Sequence, residues 1–224
     1  MTDLEVFTDD LWSSIRPIFK EIVIHPFIKG LTSGSLEVPL FKAYVVQDSL
    51  YLHDFSKSLA ILSSKAPRKE WKETIESHSK GALEVEKALH ESFFRKWKMR
   101  GKTLRQLGKN PTNTAYTSYV LASTATLPFN EGLASVLPCY WIYLRVGRHL
   151  EQKGSPNPLY KRWIDTYSSE WYVESVNYVL KVMDTLATKM TDADKEKCRK
   201  HFRIASIYEY MFWDAAYKSE KWMF

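Results

Sequence analysis

The chain has 224 residues, 45% apolar and 26% charged, with 8 Trp, 13 Tyr and 11 Phe. So much buriable surface excludes a disordered, collagenous or low-complexity chain and predicts one domain over residues 1–224 with a full-sized core. The net charge of +6 is spread along the sequence and accompanies no DNA- or RNA-binding motif, so it predicts solvated helix faces and no nucleic-acid partner.

The opening residues, MTDLEVFTDDLW, carry acids and no basic stretch before an apolar run, the pattern expected of a cytoplasmic chain without a leader. Charged residues recur every few positions, so no membrane span is expected. Two cysteines, Cys139 and Cys198, cannot build a disulfide framework and suit a reducing compartment.

Apolar residues then recur at three and four positions, predicting helices over 8–24, 37–64, 68–95, 111–128, 132–152, 158–187 and 191–219. Between them HPFIKGLTSGSL, KAPRKE, RGKTLRQLGKNPTN and GSPNP read as breaker clusters. Expected caps are Ser33 or Ser35, Thr112 or Asn113, and Thr191 with Asp192 and Asp194. With no internal repeat, the fold class is all-α, a single helical bundle.

The informative residues are polar ones set on apolar faces. In the second predicted helix the stripe Phe41, Val45, Asp48, Leu52, Phe55, Leu59 and Leu62 is interrupted by Asp48, with Tyr51 on the same flank. A buried carboxylate needs a partner, so Asp48 is either half of an ion pair or part of a site. The last helix repeats the pattern: Glu209 stands among Cys198, Phe202, Ala205, Phe212 and Ala216, crowded by Tyr208, Tyr210, Trp213 and Tyr217. An aromatic stripe of this kind is either core packing or, with an acid beside it, a place for a flat nitrogenous ring, which stacks while the carboxyl bonds or protonates a ring nitrogen.

In LPCYWIYLRVGRHL the stripe is Val136, Cys139, Tyr143, Val146 and Leu150. Cys139 follows Pro138, a residue favoured in a helix's first turn, so it is either a small buried apolar residue or a sulfur near a helix N-terminus that would lower its pKa. Tyr143, one turn on, offers a hydroxyl to that sulfur or to a substrate, whereas Cys198, in a highly charged stretch, reads as a plain buried residue. His25, His53, His78, His90, His149 and His201 are scattered along the chain, only His78 and His90 sharing a predicted helix, and form no ligand pattern, so no metal is expected. His25, before Pro26, reads as the end of the first helix, with proximal haem ligand as its alternative role.

Six blocks, HPFIKGLTSGSL, YVVQDSLYL, NTAYTSYV, LPCYWIYLRVGRHL, NPLYKRWIDTYSSEWY and ASIYEYMFWDAAY, resemble in order and spacing those of the TenA family, the thiaminase II or aminopyrimidine aminohydrolases, in its cysteine-bearing branch. The resemblance implies a haem oxygenase-like all-α fold, a homotetramer, no cofactor, and hydrolysis of thiamin or thiamin-derived aminopyrimidines to release 4-amino-5-hydroxymethyl-2-methylpyrimidine in thiamin salvage. It also implies roles: Cys139 as nucleophile, Glu209 as the acid at the ring nitrogen, Asp48 as the partner of the pyrimidine amino group, and Tyr51, Tyr116, Tyr143 and Tyr167 as pocket lining. The alternatives are a haem- or metal-dependent oxidative enzyme on the same fold, or a non-enzymatic regulator.

Overall fold

A computed structural model describes residues 6–98 and 108–223, with the backbone alone for 82–89. Residues 100–107, the first part of the RGKTLRQLGKNPTN cluster, lie outside the described residues. Among the described residues there are nine helices: α1 (Phe7–Ile24), α2 (Pro26–Ser33), α3 (Val38–Ser64), α4 (Lys69–Lys96), α5 (Pro111–Thr126), α6 (Phe129–Glu151), α7 (Pro158–Tyr167), α8 (Glu170–Ala187) and α9 (Asp192–Tyr217). No helix among them is long and apolar enough to cross a membrane.

The helices start where local chemistry satisfies their first N–H groups. Asn110 accepts from Asn113 N–H and Asn157 from Leu159 N–H, and Pro occupies the first turn of α2, α3, α5 and α7, where its missing N–H costs nothing. Thr191 and Asp194 form a reciprocal capping box on α9, as the sequence predicts. The caps expected at Ser33 or Ser35 and at Thr112 or Asn113 fall instead on Glu37, which makes no side-chain cap, and on Asn110.

Two elements differ from the sequence reading. HPFIKGLTSGSL is not a breaker: Pro26 opens α2, the His25 ring accepts from Phe27 N–H at 3.1 Å, and Gly34 closes the helix at φ +73°. Its Pro and Gly bound a helix whose apolar side, Phe27, Ile28 and Leu31, is fully buried. The predicted helix over 158–187 is two helices, α7 and α8. Ser169, extended at φ −61° and ψ 148°, ends one segment and accepts from Tyr172 N–H to start the next.

The long helices α3, α6 and α9 carry Asp48 and Tyr51, Cys139 and Tyr143, and Glu209 in turn. α6 is buried along most of its length and packs against α5, α7, α8 and α9, while α3 packs on α4, α5 and α9. Gly147 sets the closest approach: a Cβ there would lie 2.8 Å from the carbonyl carbon and oxygen of Tyr167, so only glycine lets the end of α7 rest against α6.

Candidate active site

The seven residues singled out in the sequence are all buried. α9 supplies Glu209, which lies among apolar and aromatic side chains and is 1% exposed. Tyr116 of α5 donates its hydroxyl to Glu209 Oε1 at 2.6 Å. Burial favours the neutral acid, and despite the Tyr116 bond it pushes the Glu209 pKa up to about 8, with the Asp48 charge adding to the shift. Tyr116 and Tyr51 are held far above the ordinary tyrosine range, first by burial and then by Glu209 and Cys139 nearby; Tyr116 raises Tyr51 further, whereas the bond from Tyr51 acts to lower Tyr116. Cys139 and Glu209 therefore both act electrostatically on the same two phenols.

Aromatic rings form its walls. Tyr51 lies between Phe55 and Tyr116, with ring centroids 5.6 and 5.0 Å apart, and Tyr116 stacks on Tyr208 at 5.2 Å. Tyr143 stands 5.0 Å from Tyr167, and its hydroxyl accepts from Tyr44 at 3.2 Å. The Tyr51 hydroxyl is buried without a well-formed hydrogen bond.

Asp48 has the partner that the ion-pair reading requires. It is 2% exposed, its charge adds to the upward shift of Glu209, and its Oδ2 lies 3.0 Å from Nε2 of His90 on α4. His90, three and four residues before Phe93 and Phe94 on the apolar stripe of α4, is itself a buried polar residue. That placement was a sequence signal for a buried histidine, but nothing in the spacing pairs α4 with Asp48 on α3.

The expected position of Cys139 in a first turn is overturned. α6 begins at Phe129, ten residues earlier and about 15 Å along the axis, so the helix dipole gives this sulfur no special help. Pro138 sits inside the helix, and the Tyr172 hydroxyl of α8 donates to the carbonyls of Cys139 and Tyr140, each at 3.2 Å. Cys139 and Tyr167 line a small cavity with Leu52, Phe55, His78 and Trp171. Sequence reasoning missed His78, whose Nδ1 pairs with the Tyr140 hydroxyl at 3.2 Å and whose pKa burial lowers.

The other cysteine and the haem candidate have structural explanations. Cys198 is buried beside Asn130 and Met190, and burial pushes its thiol up to about 12, so it stays protonated and inert. His25 uses both ring nitrogens within the protein, Nδ1 on Phe27 N–H and Nε2 on Asp214 at 3.4 Å, so neither is available to iron. Among the described residues no three His, Cys, Asp or Glu side chains are grouped to hold a metal ion.

The TENA/THI-4/PQQC family model matches residues 12–219. The chain is 34% identical over 216 residues to the aminopyrimidine aminohydrolase of Bacillus subtilis, a match covering 96% of this chain and 92% of that protein. Among solved structures, a TenA homologue from P. horikoshii OT3 superposes with a TM-score of 0.88 at 28% identity, covering 95% of this chain and 99% of that one. A Shewanella denitrificans domain with a heme oxygenase-like fold superposes with a TM-score of 0.74 at 13% identity, covering 95% and 92%, a likeness of fold alone.

Proposed function

Because the chain belongs to the TENA/THI-4/PQQC family, we propose that it is a hydrolase that releases 4-amino-5-hydroxymethyl-2-methylpyrimidine from thiamin or from thiamin-derived aminopyrimidines, in thiamin salvage. The observation that carries this reading is the buried carboxyl of Glu209, bonded by Tyr116 and raised to about 8, with Cys139 beside the same phenols.

The chemistry needs those groups. A leaving group on the methylene at pyrimidine C5 is hard to displace directly. Addition of the Cys139 thiolate to C6 of the ring, with the ring nitrogen taking a proton from Glu209, turns its departure into an elimination. The Sγ–C6 bond forms, the methylene-to-leaving-group bond breaks, and water adds its oxygen to the methylene. Expulsion of the thiolate restores the ring, and its nitrogen returns the proton to Glu209. Water's remaining proton balances the one an amine carries away, and it passes to solvent when a thiazolium departs as the neutral thiazole. A carboxyl with a pKa near neutrality both gives and takes that proton. Asp48 accepts from the 4-amino group with the oxygen that His90 does not hold, and Tyr143 and Tyr167 supply faces for the ring. The assembly is a homotetramer of a one-domain cytoplasmic chain.

The test is direct: purified protein incubated with thiamin and with 4-amino-5-aminomethyl-2-methylpyrimidine, with product followed by chromatography. Cys139→Ser is expected to abolish turnover while pyrimidine binding by calorimetry stays within about threefold, since a hydroxyl keeps the shape but ionises far less readily. Turnover by that variant at a rate near the parent's would show that Cys139 is not the nucleophile.

A further inference from the structure

The cavity beside Cys139 continues outward. Its outer residues His78, Gly81 and Trp171 also line a second, larger cleft between α4 and α8, open to solvent and walled by Glu70, Glu73 and Lys80. Gly81 leaves the junction clear of side chain: a Cβ there would already touch the Trp171 ring, at 3.8 Å from Cζ2. Trp171, in the first turn of α8, is 48% exposed, so a large apolar face looks onto the passage.

A chain of rings connects this mouth to the interior. Tyr143 lies 5.0 Å from Tyr167, Tyr167 meets Tyr172 edge-on at 5.4 Å, and Tyr172 is 6.4 Å from Trp171. His78 stands at the junction with its Nδ1 committed to the Tyr140 hydroxyl. Burial holds it below its usual range, so at neutral pH it presents no positive charge to the passage.

We propose that the Trp171 mouth is a subsite for the leaving half of the substrate, and that it favours a flat heteroaromatic cation such as a thiazolium over a small amine. This rests on the hydrolytic reading above. The buried acids hold the pyrimidine end, so the substituent on the reacting methylene has to extend away from them, and the cavity at Cys139 opens toward Trp171. An exposed indole rewards a planar ring by stacking and a cationic one by attraction to its π face, and ammonia gains nothing comparable. The acids on the wall do not carry the selectivity. Glu70 lies 3.8 Å from Arg68 and Glu73 lies 3.7 Å from Lys69, all in solvent, so their field is largely balanced.

The two substrates named above share the pyrimidine and differ in the leaving group, which makes each the control for the other. Trp171→Ala is expected to lower kcat/KM for thiamin about tenfold, the scale of one lost aromatic stacking contact, and to leave the aminomethylpyrimidine within about twofold. Trp171→Phe is expected to retain most of the thiamin activity. Free 4-methyl-5-(2-hydroxyethyl)thiazole should inhibit the parent and inhibit the Ala variant less. Equal losses on both substrates, or no loss on either, overturn the subsite while leaving the hydrolase reading standing. A parent protein that turns over only the aminomethyl compound overturns the subsite, and one that turns over neither overturns both.

Discussion

Replacing Glu209 by Gln separates the cost of burying this carboxyl from its use. Its pKa moves from an ordinary 4.5 in the unfolded chain to about 8 in the fold, because burial disfavours the anion more than the Tyr116 bond favours it. At 1.36 kcal/mol per pH unit, that difference corresponds to on the order of 4–5 kcal/mol between folded and unfolded states. Below pH about 4.5 the acid is protonated in both states and costs nothing. Between about 4.5 and 8 the unfolded chain releases the proton and the folded protein keeps it, so the parent's stability falls as pH rises; above about 8 the penalty is complete. Gln keeps an oxygen for the Tyr116 hydroxyl and never ionises. Urea unfolding at pH 5 should therefore place the two proteins within about 1 kcal/mol, and at pH 9 the variant should be the more stable by several kcal/mol. His25, His78 and His201 also titrate in this window with lowered pKa values, but both proteins carry them, so they cancel in the difference. Turnover should fall by about 10²–10⁴, the usual range for a lost general acid. A stability difference that stays flat from pH 5 to 9 would refute the burial argument.

Asp48→Asn should raise KM by roughly 5- to 150-fold, because an amide N–H₂ facing the substrate's amino group leaves donors unpaired at about 1–3 kcal/mol; an unchanged KM removes Asp48 from recognition. His90→Leu should destabilise the protein by about 3–5 kcal/mol by stranding the Asp48 charge, and adding Asp48→Asn should recover part of that loss in a double-mutant cycle read by urea melts. Gly147→Ala forces a methyl against the Tyr167 carbonyl and should cost about 1–3 kcal/mol while displacing Tyr167 enough to raise KM; melting and kinetics together check it. Light scattering across micromolar concentrations should give the mass of four chains, and a monomer's mass would refute the tetramer.

Helix content was legible in this sequence because a 3.6-residue period and capping chemistry are local properties, carried by neighbouring residues whatever the rest of the chain does. The capping box at Thr191 shows this directly. The same locality marked Asp48 and Glu209, since an acid on an apolar stripe declares its burial before any partner is known. Local signals stopped short where two readings share the same residues. Pro and Gly in HPFIKGLTSGSL bound α2 as naturally as they would break a helix, and Ser168 and Ser169 divide α7 from α8 without disturbing the apolar period. Pro138 likewise marks a helix start by preference, yet α6 runs through it. What only the tertiary structure decided is which groups face each other. Tyr116 reaches Glu209 across 93 positions of sequence, and His90 reaches Asp48 across 42. The pKa of Glu209 follows from that packing, because the desolvation that raises it is a property of everything placed around the carboxyl, and no stretch of sequence encodes its own surroundings.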